Sequence, residues 1–87
     1  MKIEKGRIVK AIAGRDSGGY FVITGCDENY VYIADGKRRK TSLPKRKNLR
    51  HLMFTNNIIE LNDITDKKLR NVLGNYAVHT VTDMGRY

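Results

Sequence analysis

The chain has 87 residues, of which 40% are hydrophobic and 30% charged, with one cysteine, two histidines and a formal net charge of +8. That length makes one domain at most and buries only about 60% of the surface an unfolded chain exposes, so a deep catalytic cleft is not expected. No run approaches the ~18 apolar residues of a membrane span, and MKIEKGRIVK, charged on both sides of a few apolar residues, is not the apolar core of a signal peptide.

From the amino terminus, the β-branched run Arg7 to Ala13 predicts a first strand, closed by the turn chemistry of Gly14-Arg15-Asp16-Ser17-Gly18-Gly19. Tyr20 to Thr24 predicts a second strand, followed by a polar break at Asp27-Glu28-Asn29. Tyr30 to Ala34 alternates, with Val31 and Ile33 on one face and Tyr30 and Tyr32 on the other. Asp35-Gly36 suits a type I′ turn, which predicts that Lys37 to Thr41 returns antiparallel beside Tyr30 to Ala34. Such a short, charged strand also protects a sheet edge.

Pro44 stops that strand, and Leu49 to Phe54 predicts a further extended segment. Several short strands with tight turns predict a mainly β fold closed into a small barrel, since closure removes free edges. Beyond Asn56-Asn57 the pattern changes. Thr65 is read as the cap of a short C-terminal α-helix starting at Asp66, with Leu69, Val72, Leu73 and Tyr76 on one apolar stripe and Gly74 ending it near Asn75. Ile58 to Leu61 reads as either a strand or a helical turn, and Val78 to Tyr87 as either an added strand or a frayed end. The expected organisation is a barrel over residues 1–54 and an extension over 55–87 whose helix packs on it.

Charge is distributed unevenly. Lys37, Arg38, Arg39, Lys40, Lys45, Arg46, Lys47 and Arg50 put eight basic residues and no acidic one into 14 positions. Taking these eight from the 17 basic residues leaves nine, which the nine acidic residues balance. The whole excess charge therefore lies in this strip, which gives the protein a directed electrostatic face. Each cation that neutralises a phosphate releases a condensed counterion, so the strip is a candidate for gripping a nucleic-acid backbone. Strand alternation would separate Lys37 and Arg39 from Arg38 and Lys40, leaving about five contacts to one backbone and a salt slope of about −3.5 at ~0.7 each. Its bland alternative is a solvated edge that keeps the protein soluble. Arg38, Arg39 and Arg46 are the better candidates for specificity because guanidinium groups stack and fork. Tyr30 and Tyr32 are either stacking platforms for an unpaired base or ordinary half-buried strand residues.

The residues from Gly6 to Gly18, GRIVKAIAGRDSG, resemble the KOW motif of several ribosomal proteins and transcription elongation factors, with Gly6, Val9, Gly14, Arg15, Asp16 and Gly18 in the matching places. Together with Ala34-Asp35-Gly36 and with Pro44-Lys45-Arg46-Lys47-Asn48-Leu49 through His51-Leu52, the chain is similar to small bacterial KOW-domain RNA-binding proteins. These are related to a KOW-bearing protein of the archaeal and eukaryotic large ribosomal subunit. The resemblance covers roughly residues 4 to 52. It implies an SH3-like barrel and RNA binding through the loop after the first strand and through flanking basic residues. Ser17 stands where a lysine is common and Phe21 where many members have a third glycine. Phe21 is expected to fill the core, Arg15 is that loop's only cation, and weight shifts to the strip.

The sequence is therefore read as an RNA-binding module of the cytoplasm, associated with ribosomal RNA, with ribosomal proteins as further partners. A protein-interaction module of the translation or transcription machinery is the alternative. Non-specific DNA binding ranks lower, because no element is built to enter a major groove. Gly14 and Gly18 are read as serving turn geometry, and Asp16 as holding the turn through an Asx hydrogen bond. One thiol allows no internal disulfide and fits a reducing compartment, and Cys26 is read as a small buried hydrophobe. Cys26, His51 and His79 lack metal-ligand spacing, and the Lys-Ser/Thr pair of a phosphate-binding P-loop is missing. No context sets up a nucleophile, so neither enzyme activity, nor a cofactor, nor a small-molecule substrate is expected.

Overall fold

The apolar runs of the first half become strands in a computed structural model that describes residues 3–84 and, among these, the side chains of residues 3–79. The strands are β1 (Arg7–Ala11), β2 (Tyr20–Cys26), β3 (Tyr30–Ala34), β4 (Lys45–Asn48) and β5 (Leu52–Ile58), and one helix, α1 (Asp66–Met84), follows. They form one five-stranded antiparallel sheet in the order β4-β3-β2-β1-β5. The first four strands meander, and β5 returns to pair with β1, placing Ala11 opposite Leu52 and Val9 opposite Phe54. Register shifts interrupt β1–β5 between Arg7 and Val9, and β2–β3 between Ile23 and Gly25. Irregularities of this kind bend a strand and raise its twist.

Strand alternation sends apolar residues to both faces of the sheet, so both need cover. Val9, Ala11, Phe21, Ile23, Val31, Ile33 and Leu52 make one core, with Ile3, Leu49 and Phe54 packed against it. Ile8, Val22 and Ala34 face the other way and are covered by Leu69 and Leu73 of α1. Full burial of one such side chain is worth roughly 1.5–3 kcal/mol. The helix thus caps a sheet face that would otherwise be bare.

Several sequence expectations are met. Phe21 is buried. Val31 and Ile33 turn inward while Tyr30 and Tyr32 stay half-exposed. The Thr65 hydroxyl accepts the Lys68 N–H at 3.1 Å, an N-cap that starts α1 at Asp66. Leu69 and Leu73 are buried, with Val72 and Tyr76 partly so.

Others are corrected. Lys37 to Thr41 forms no strand; the partner of β3 is Lys45–Asn48, with Val31 opposite Lys47 and Tyr32 opposite Arg46. The reason is a local competitor for the backbone. The Asp35 carboxylate accepts the N–H groups of Lys37 and Arg39, both at 2.9 Å, while the N–H groups of Asp35 and Gly36 donate to the Arg39 carbonyl. Residues 35–39 therefore close on themselves instead of pairing with β3. The first strand ends at Ala11 rather than Ala13. Leu49–His51 is a 3₁₀ turn, whose Arg50 N–H is capped by the Asn48 side chain at 2.9 Å, and only Leu52 onward is strand. β5 then runs past residue 54 to Ile58, which lies opposite Arg7.

Gly74 does not end the helix, which continues to Met84. Termination by glycine needs a positive φ, which Gly74 does not take, and a glycine inside a helix costs only about 1 kcal/mol. Val78 to Met84 is thus helical rather than an added strand or a frayed end, while Gly85 to Tyr87 lie outside the described residues. Cys26 is exposed at the end of β2, not buried. No helix among the described residues is long and apolar enough to cross a membrane.

Candidate nucleic-acid interface

The turn between β1 and β2 is built from backbone hydrogen bonds. Ser17 N–H donates to the Gly14 carbonyl at 3.2 Å, Gly18 N–H to Ala11 at 2.8 Å and Gly19 N–H to Asp16 at 3.2 Å. Gly14 at φ +82° and Gly18 at φ +91° take the left-handed conformation that side chains resist, as the sequence reading of both as turn geometry requires. The Asp16 side chain does something else than that reading expected. It is 3% exposed, and the carboxylate is spent on cations from distant segments rather than on its own turn. Arg39 Nη2 lies 3.3 Å from Oδ1 and Lys47 Nζ 3.7 Å from Oδ2. Lys47 Nζ also donates to the Ala13 carbonyl at 2.9 Å.

Position in β4 explains why Lys47 joins this cluster. It stands opposite the buried Val31 and points to the core side, where an unpaired ammonium would be costly. Asp16 supplies the counter-charge. Lys47 is 6% exposed and Arg39 partly covered, so these two candidate site residues are committed inside the molecule. The other candidates are at the surface. Lys37, Arg38 and Lys40 lie on the loop after β3, Lys45 and Arg46 on the edge strand β4, Arg50 on the 3₁₀ turn and Arg15 on the turn after β1.

The ion cluster also decides where these cations stand relative to one another. Asp16 ties the turn bearing Arg15 to the loop through Arg39 and to β4 through Lys47. Gly14 lies so close to the Lys47 ammonium that an added Cβ would be 3.0 Å from it. The glycine turn is thus tied to two segments of the basic strip that are far from it in sequence.

Arg46 is fixed as well. Its guanidinium lies 3.8 Å from the centroid of the Tyr30 ring, a cation–π stack between diagonal neighbours of β3 and β4. One face of Tyr30 is therefore taken by Arg46, while the Tyr32 hydroxyl donates to Asp27 at 3.4 Å. A depression of about 340 Å³ beside them is lined by Asn29, Tyr30, Asn48, Leu49 and Arg50. His51 is exposed next to Arg50.

Three cations near this surface escaped the sequence reading. The Asp66 carboxylate accepts the Thr41 N–H at 2.8 Å and Arg70 Nη1 donates to the Gly36 carbonyl at 3.3 Å, so the start of α1 is docked on the basic loop. Lys67 and Lys68 in that first turn and Arg70 are exposed. Cations at a helix amino terminus oppose its dipole, so folding alone does not favour them there. The signal was the Lys67-Lys68-Leu69-Arg70 run, which segment-by-segment charge counting cancelled against acids elsewhere in the chain. Compared with protein-family models and with curated proteins, the chain gives no match.

Proposed function

We propose that this protein is an RNA-binding module, associated with ribosomal RNA and so cytoplasmic, that grips structured RNA through phosphate contacts. It acts as a binding protein rather than an enzyme. The observation that carries the reading is the Asp16 cluster. It engages Arg39 and Lys47 internally, and by doing so ties together the turn that bears Arg15, the loop that bears Lys37, Arg38 and Lys40, and the edge strand that bears Lys45 and Arg46. The same reading takes the sheet as an SH3-like barrel of KOW type. Its supports are a four-strand meander, the return of β5 to β1, two register shifts and a 3₁₀ turn between β4 and β5.

Six strip cations remain exposed: Lys37, Arg38, Lys40, Lys45, Arg46 and Arg50. At ~0.7 per contact for single strands and ~0.9 for duplex, full engagement gives a slope of log affinity against log salt of about −4 to −5. Shape and phosphate contacts, with little reading of bases, suit recognition of folded RNA. The test is sedimentation of cell lysate through a sucrose gradient, with and without RNase and at two salt concentrations. Co-migration with ribosomal particles that RNase and salt abolish is the expected result.

A second reading, a protein-interaction module of the translation or transcription machinery, is favoured by Ile12, Leu43, Met53 and Ile58, which are all about half or more exposed. Co-migration that survives RNase would transfer the assignment to it.

A further inference from the structure

A groove of about 400 Å³ runs between α1 and the turn after β1, on the side of the sheet that the helix covers. That volume falls within the roughly 300–1,000 Å³ of small-ligand sites. Three cations from three separate elements line it: Lys10 of β1, Lys37 of the loop and Arg70 of α1. The one carboxylate on its wall is Asp35, whose Oδ1 already accepts the N–H groups of Lys37 and Arg39. Tyr20 contributes an aromatic surface. Its ring is braced edge-on by Tyr76, with centroids 5.2 Å apart, and the Lys10 ammonium lies 5.7 Å from its centroid. Gly18 of the turn and Gly74 of α1 both line it, and at both positions an added Cβ would meet nothing within 4 Å.

Three positive charges lining one groove beside a braced ring, with glycine backbone exposed in it, suit a phosphate attached to a planar base. Arg70 spends one donor on the Gly36 carbonyl and Lys10 lies over Tyr20, but none of the three is ion-paired with a carboxylate among the described residues. We propose that this groove takes a nucleoside monophosphate unit, its phosphate held by Lys10, Lys37 and Arg70 and its base laid on the Tyr20 side. The proposal rests on the RNA-binding reading, because Lys37 belongs both to the strip and to the groove. A nucleotide splayed from the RNA would reach the groove as its backbone leaves the loop. A free mononucleotide offers the same chemistry.

The test is an NMR titration of the full chain with 5′-AMP, 5′-UMP, inorganic phosphate and a short single-stranded oligonucleotide. Both mononucleotides should give saturable shifts of the Gly18, Gly19 and Gly74 amides with a dissociation constant of about 1 mM, and phosphate alone should bind at least roughly tenfold more weakly. The decisive variant is Gly74→Leu, which fills the groove while leaving every charge in place and improves helix propensity. It should abolish the shifts with thermal stability kept or raised. Lys10→Gln, which keeps a donor but drops the charge, should weaken binding roughly tenfold and serves if Gly74→Leu disturbs the fold. Oligonucleotide shifts at the same amides mark RNA as the source; shifts with mononucleotides alone mark a free nucleotide. Absence of saturable shifts up to about 10 mM, phosphate binding as well as nucleotide, or equal shifts in Gly74→Leu would each overturn the proposal. Lys45→Ala/Arg46→Ala/Arg50→Ala separates the two readings, because it should cut RNA affinity without changing the AMP titration.

Discussion

Replacing Asp16 by asparagine keeps the side-chain shape and removes one charge. In the native protein the Asp16 side chain, 3% exposed, faces the Lys47 side chain, 7% exposed, with Nζ 3.7 Å from Oδ2. After the change, Lys47 keeps only the Ala13 carbonyl, 2.9 Å away, to offset a buried positive charge. Removing one partner of a buried pair costs about 3–5 kcal/mol. The lower end applies, because Lys47 retains that hydrogen bond and Arg39, with 32% of its side chain exposed, is free to turn to water. A loss of about 3 kcal/mol is a large part of the ~5–15 kcal/mol that holds a small domain together. In a domain of this size it lowers Tm by about 12–24 °C.

Urea and thermal unfolding followed by circular dichroism measure both quantities. The diagnostic partner is Asp16→Asn/Lys47→Met, in which the stranded charge is removed along with its counter-charge. A neutral pair of similar volume is often as stable as the ion pair it replaces, so the double variant should recover most of the loss. A single variant within about 0.5 kcal/mol of wild type, the range of ordinary surface substitutions, would refute the reasoning. So would a double variant no more stable than Asp16→Asn.

A single replacement separates the two uses of the strip. If Lys47 only serves the fold, Lys47→Met, which leaves the Asp16–Arg39 pair in place, should leave the slope of RNA affinity against salt unchanged, whereas Lys37→Ala/Arg38→Ala/Lys40→Ala should flatten it by about 2. Gly36→Ala should cost about 1–3 kcal/mol in urea unfolding, because φ is +76° there and the new methyl runs into the Asp66 backbone carbonyl. Thr65→Ala removes the hydroxyl that caps Lys68 N–H and should cost about 1 kcal/mol by the same assay.

Much of the fold was legible because local signals agreed. β-Branched alternation gave β1 to β3, and Thr65 before an apolar stripe gave the start of α1. Glycines at 14 and 18 gave a turn whose φ values only glycine takes comfortably. The failures occurred where a contact distant in sequence outweighed a local cue. Asp35-Gly36 looked like a hairpin turn, but the Asp35 carboxylate captured two backbone N–H groups, and Gly36 was needed as a flat surface for Asp66. Of the strip, the exposed members were readable as cations. That Arg39 and Lys47 are spent on Asp16 follows only from a register that sets Lys47 opposite Val31, which composition does not reveal. Lys10 and Arg70 converge through the docking of α1, again beyond any local pattern.

The spent charges bear on affinity as well as on stability. A loop from Asp35 to Pro44 carrying free cations would be flexible in isolation, and ordering it on RNA would cost about 1–2 kcal/mol per residue fixed. Here that ordering is done by folding. Asp35 holds the N–H groups of Lys37 and Arg39, Asp66 holds that of Thr41, Arg70 holds the Gly36 carbonyl and Asp16 holds the Arg39 side chain. Lys37, Arg38 and Lys40 are therefore displayed between fixed points, and on the proposed reading less binding energy would be lost to ordering the backbone. On the proposed RNA-binding reading, two of the eight strip cations are engaged by Asp16 while the other six stay exposed for phosphate. On this argument, replacing Arg39 should weaken RNA binding through the loop's disorder, raising its amide exchange rates, even though Arg39 itself touches no phosphate.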